Sequence, residues 1–141
     1  MTSFDEFITN KELLLKDLCS RILYKIKCQV YDDPIPYTLS GIIPSRTYQE
    51  LYFEEMDYKE CNGFIDIKYS KPYLFPLYSM TKKQKEEFDA LYWEAREKAS
   101  DYSFDLVYSS IKSNWLYKNH FDVNGLIPLG LAKDATGLNI Y

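Results

Sequence analysis

The sequence is poor in the residues that most enzymes use for group transfer. It has one histidine, His120, and three cysteines, Cys19, Cys28 and Cys61, with no Cys-x-x-Cys pair among them. A structural zinc centre takes about four Cys or His ligands at short spacings, so all four of these scattered residues would have to converge. The odd, widely spaced thiols do not suit a secreted disulfide framework and fit a reducing compartment. Glycine is scarce, with five residues, and none opens a G-x-G-x-x-G turn or a G-x-S-x-G elbow. Gly125 and Gly130 have the spacing of a phosphate loop, but Leu131 and Ala132 follow where the lysine and hydroxyl should stand. Asp122, Asn124 and Gly125 begin like a calcium loop and lack its later acidic ligands, so a turn is expected there. No run approaches the ~18 apolar residues of a membrane span. The opening residues, with Asp5 and Glu6, lack the basic and apolar regions of an export signal. The expectation is a cytoplasmic chain with no membrane association, no cofactor, no metal and no catalytic set.

What the sequence does hold is aromatic and acidic. Among 141 residues there are 14 Tyr and 8 Phe, with a net charge of −4 and a pI near 5.0. Such a field repels phosphate backbones, which argues against duplex nucleic acid as a partner. The length suits one domain, 1–141.

Period and punctuation predict an α+β fold. Ser3-x-x-Glu6 and Thr9-x-x-Glu12 are both capping boxes, and Leu14, Leu15, Leu18, Cys19 and Ile22 then form an apolar stripe with Lys11, Lys16 and Asp17 off it. A helix over about 10–22 follows. From Tyr24 the period changes to two, ending at Asp32-Asp33-Pro34, and a second strand over 37–43 between Pro36 and Pro44 completes a hairpin near 24–43. Asn62-Gly63 favours a tight turn in a second hairpin, near 48–69, with Lys59 opposite Asp66. The stretch 69–77, interrupted by Pro72 and Pro76, reads as an edge strand or an irregular connection. Thr81-x-x-Gln84 starts a helix over about 82–99, and Phe104, Val107, Tyr108, Ile111 and Trp115 predict another over about 103–118. The whole is a small, mostly antiparallel sheet packed against three amphipathic helices. Trp93 lies opposite Phe88 and Leu91 on its helix and is expected to be covered by another element.

Two surfaces could bind something. Glu50, Glu54, Glu55 and Asp57 alternate with Tyr48 and Tyr52, an acidic, tyrosine-rich face suited to a protein partner or a basic ligand. Lys68, Lys71 and Lys82, with Tyr73 between them, offer charge and stacking for a small phosphorylated ligand such as a nucleotide. His120 is expected to pack at a helix end and the cysteines to be small core residues. An enzyme using carboxylates or Cys61 is a third reading, and self-association through the aromatics stays open.

Trp115-Leu116, Asn119-His120-Phe121-Asp122, Gly125-Leu126-Ile127, Gly130-Leu131-Ala132 and the ending Ala135-Thr136-Gly137-Leu138-Asn139-Ile140-Tyr141 resemble small proteins of Bacteroides-type gut bacteria and their phages. Lys16-Asp17-Leu18-Cys19-Ser20-Arg21, Lys71-Pro72-Tyr73-Leu74 and Ser79-Met80-Thr81 share the likeness. No activity is assigned to that group. The resemblance implies a cytoplasmic accessory protein of phage or mobile-element origin and brings no catalytic residues with it. The combined expectation is a non-enzymatic interaction protein that binds or inhibits a host or phage protein.

Overall fold

The computed structural model describes residues 3–44, 49–55 and 63–141. Helix α1 runs Ser3–Arg21, beginning well before the expected start near residue 10. Its buried stripe is Leu14, Asp17, Leu18 and Arg21, at i, i+3, i+4 and i+7. The expected stripe is therefore rotated: Asp17 turns inward, while Cys19 is exposed. The 3₁₀ turn Ile22–Tyr24 and Lys25, left-handed at φ 55°, end the helix. They consume the residues expected to begin a strand, so β1 starts later, at Lys27–Val30.

Strands β2 (Tyr37–Thr38), β3 (Gly41–Pro44), β4 (Gln49–Tyr52), β5 (Phe64–Asp66), β6 (Ser70–Leu74) and β7 (Lys133–Asp134) form two sheets rather than one, ordered β2-β1-β6-β7 and β3-β4-β5. All pairings are antiparallel except β6 with β7. The expected strand over 37–43 is shared between the sheets. Leu39 still donates its amide to Ile26 in the first, whereas Ser40 donates to Tyr52 in the second. Buried Leu39, 3% exposed, sits at that crossing.

The stretch 69–77 is not an edge. Strand β6 lies between β1 and β7 in spite of Pro72. Tyr31 N–H donates to Tyr69 O, which marks residues 69 and 71 as the positions that bond to β1. Pro72 then turns its nitrogen toward β7, whose pairing begins only at Tyr73 and Lys133, so the missing amide interrupts no ladder bond.

In the second hairpin Asp66 lies opposite Glu50, Ile65 opposite Leu51 and Phe64 opposite Tyr52. This is not the expected register, which set Asp66 opposite Lys59 across an Asn62-Gly63 turn; Lys59 and Asn62 themselves lie outside the described residues. The strand stops at Asp66, whose carboxylate accepts Lys68 N–H at 3.0 Å and caps the 3₁₀ turn Ile67–Tyr69. Gly63 is required by its neighbour: at φ 88°, a Cβ here would lie 2.7 Å from Phe53 O.

Helices α2 (Lys82–Lys98) and α3 (Phe104–Lys118) pack as a pair along an aromatic seam, with Phe88–Trp115, Tyr92–Phe104 and Tyr92–Tyr108 ring centroids 5.4, 5.3 and 5.6 Å apart. The main core instead joins α1 to both sheets through Leu14, Leu18, Ile26, Val30, Leu51, Phe53, Ile65 and Leu74, and takes no residue from α2 or α3. Trp93, expected to be covered, is 69% exposed. The Thr81–Gln84 capping box is formed in both directions, at 3.1 and 2.9 Å. Thr81→Ala is expected to cost about 1 kcal/mol, read as a lower urea midpoint at unchanged m-value. No helix among the described residues is long and apolar enough to cross a membrane.

Candidate functional sites

The pleat of the second sheet builds one surface. Leu51 and Phe53 turn into the core, so Glu50 and Tyr52 turn outward. The register places Ile43, Glu50 and Asp66 in one cross-strand row and Gly41, Tyr52 and Phe64 in the next. Tyr52 and Phe64 rings meet at 4.9 Å, and Ile43 and Phe64 remain 45% and 38% exposed. Two carboxylates thus oppose each other directly amid three apolar side chains, an arrangement that is repulsive by itself. Among the described residues no ion pair reaches Glu50, Asp66, Glu54 or Glu55. Glu54 and Glu55 are exposed in the turn after β4. Tyr48 and Asp57 lie outside the described residues. Ile43, Phe64 and Asp66 were not singled out from the sequence, because only the strand register gathers them.

Of the four residues expected around a small ligand, the structure brings Lys68 and Lys71 together on the wall of one hollow, joined there by Lys11. Tyr73 is 6% exposed in β6, and its backbone carbonyl accepts from the Tyr141 hydroxyl at 2.8 Å. Lys82 opens α2 and lines a different groove, with Tyr78, Lys85 and Phe88.

A buried polar cluster went unseen in the sequence. Arg21 donates Nε–H to Asp17 at 2.6 Å and Nη2–H to Phe121 O at 2.7 Å, with both side chains fully buried. Asn124 Nδ2 donates to the same carboxylate at 2.8 Å, and Tyr117 lies under the guanidinium at 4.8 Å. Asp122 accepts the amides of Leu126 and Ile127, so the residues resembling a calcium loop form a self-satisfied turn. Arg21 Nη1 and His120 Nδ1 are buried without partners among the described residues. The signal was the position of Asp17 between Leu14 and Leu18, three residues from one and one from the other, at the stripe's own spacing.

His120 follows α3 at φ 64° and stacks on Tyr141, centroids 3.7 Å apart. Burial, with the Arg21 charge second, lowers its pKa from 6.5 to about 4. Cys28 is fully buried, and burial first, then the Asp17 charge, raises its thiol well above the ordinary range, so it is held as the neutral thiol. Cys19 is exposed and free, and Cys61 lies outside the described residues. Among the described residues no three His, Cys, Asp or Glu side chains gather to hold a metal.

The His120 shift has a stability consequence with a definite sign. Between pH 6.5 and about 4 the unfolded chain binds a proton that the folded chain refuses, so stability falls as pH drops through that window. Solvent over the half-buried ring screens the effect, leaving roughly 1–2 kcal/mol. His120→Asn, which tolerates the left-handed backbone, is expected to lose that much less stability than the wild type between pH 7 and 4.5 in urea unfolding. Equal losses would place the proton uptake elsewhere.

Comparison of this chain with protein-family models, with curated proteins and with solved structures finds no match to any of them.

Proposed function

We propose that the chain is a non-enzymatic interaction protein that docks a basic segment of a partner protein on the outward face of β3, β4 and β5. The observation that carries this reading is the direct opposition of Glu50 and Asp66 between Ile43, Tyr52 and Phe64. An arginine or lysine entering between the carboxylates relieves their repulsion, while the aromatic and aliphatic neighbours supply the dry contact that concentrates binding energy. Exposed Glu54 and Glu55 extend the negative field beyond the face and steer a basic partner toward it. The setting proposed with it is that of a cytoplasmic accessory protein, of phage or mobile-element origin, that inhibits or regulates a host or phage protein.

Charge reversal at one position separates docking from folding. Glu50→Lys places a cation opposite Asp66 and is expected to leave the melting temperature unchanged or raised. The same change is expected to weaken capture of the partner from host lysate at least tenfold, and Tyr52→Ala to weaken it comparably. Identical recovered protein sets for wild type and Glu50→Lys would end this reading.

A further inference from the structure

We infer that the hollow between α1 and β6 is a binding site for a small organic anion, one carboxylate or phosphate head on a short apolar stem. Asn10, Lys11 and Leu14 of α1 form one wall, Ile67, Lys68, Ser70 and Lys71 form the other, and Leu131 of the C-terminal segment closes it. None of its lining residues belongs to the acidic face.

Three observations fix the ligand's chemistry. The first is charge: among the described residues, Lys11, Lys68 and Lys71 line the hollow, no acidic residue does, and none of the three has an ion-pair partner. On a chain of net charge −4 this is a local excess of cations, and an anion is what they would attract. The second is an unmet hydrogen bond. Ser70 lines the hollow at 2% exposure, and its buried Oγ has no partner among the described residues. Buried hydroxyls are ordinarily satisfied, so an orphan beside a cation cluster points to a missing acceptor. The third is the apolar floor: Leu14 and Ile67 are 4% and 0% exposed and belong to the main core, with Leu131 packed against it.

Size narrows the choice. The hollow measures about 140 Å³, well short of the ~300 Å³ at which drug-sized pockets begin. A head group with a short stem fits; a nucleoside does not. The anion proposed for this hollow is therefore smaller than the nucleotide expected from the sequence.

The test is an amide NMR titration of the whole chain with hexanoate, hexyl phosphate and hexylamine. At least one of the two anions is expected to shift the amides of Leu14, Ser70 and Leu131 saturably, with a Kd at least tenfold below that of hexylamine. The tighter of the two identifies the head group. Lys68→Glu/Lys71→Glu, two exposed positions, is expected to weaken that anion at least tenfold. Ser70→Ala is expected to weaken it several-fold while leaving thermal stability intact. Equal response to hexylamine, undiminished binding by the double variant, or no saturable shift at tens of millimolar anion would each overturn the inference.

Discussion

Asp17→Ala is expected to destabilise the chain by about 3–5 kcal/mol, the range for removing one partner of a fully buried ion pair. The magnitude follows from what is left behind. Arg21 cannot give up its proton, and without Asp17 its charge keeps only the Phe121 carbonyl and the Tyr117 ring. Asn124 loses its 2.8 Å acceptor in the same step. Nη1 already lacks a partner among the described residues, so none of them offers a spare contact to take up the load. The exposed pair Lys98–Glu94 is the internal control: its 2.7 Å separation nearly equals the 2.6 Å of Arg21–Asp17, yet both its side chains are open to solvent. Glu94→Ala is expected to cost only about 0.3–0.5 kcal/mol. Burial, not distance, sets the difference. The double change Asp17→Leu/Arg21→Met removes both charges together and is expected to return to within about 1–2 kcal/mol of the wild type. Urea unfolding of the four proteins checks all of this, and an Asp17→Ala cost as small as that of Glu94→Ala would mean that water reaches the guanidinium.

The same pair shows where sequence reading stopped. An Asp and an Arg four residues apart on a helix are normally a solvated surface pair, so charge outweighed the place of Asp17 at the spacing of Leu14 and Leu18, and the packing of α1 shows that this pair lies inward. Helices α2 and α3 were legible because their signals are local: a capping box at Thr81 and apolar residues at i, i+3, i+4 and i+7. The presence of antiparallel pairing near 24–43 and 48–69 was legible from the period of two, whereas the register drawn from Asn62-Gly63 was not the one formed, since Asp66 lies opposite Glu50. The division of residues 37–43 between two sheets was not legible, because Leu39 and Ser40 carry no local mark of the crossing. Pro72 misled because the cost of a proline depends on which side of the strand its nitrogen faces, and that is set by register. The acidic side of the candidate face was read directly from Glu50, Glu54 and Glu55. Its apolar half waited on the pairing of Ile43 and Phe64 with β4. Lys11 was equally hidden, since it reaches Lys68 and Lys71 only through tertiary packing, and Ser70, although it stands between them in the chain, carries no local mark of its burial.

Tyr141→Ala is expected to cost about 2–4 kcal/mol, combining a lost aromatic contact set with unpaired backbone groups. The β1–β6 pairing ends at Cys28 and Pro72. Following the alternation marked by Tyr31 and Tyr69, the next hydrogen-bonded pair would be Lys27 with Tyr73. The Tyr141 hydroxyl stands in its place, accepting Lys27 N–H at 2.9 Å and donating to Tyr73 O at 2.8 Å. A phenol has one proton to donate, so the longer 3.3 Å approach to Lys27 O is secondary. Burial, the largest influence on this phenol, raises its pKa and keeps the donor proton in place. The ring adds the His120 stack and a 5.9 Å contact with Phe75. Tyr141→Phe isolates the hydroxyl and is expected to account for about 1–2 kcal/mol, whereas a cost near zero would mean that water bridges Lys27 and Tyr73 equally well. The consequence reaches function because the segment that Tyr141 fastens also carries Leu131, the lid of the hollow. Tyr141→Ala should therefore weaken anion binding at Lys68 and Lys71 while partner capture by the β3, β4 and β5 face persists. Loss of both together would instead mean that the two surfaces depend on one cooperative unit.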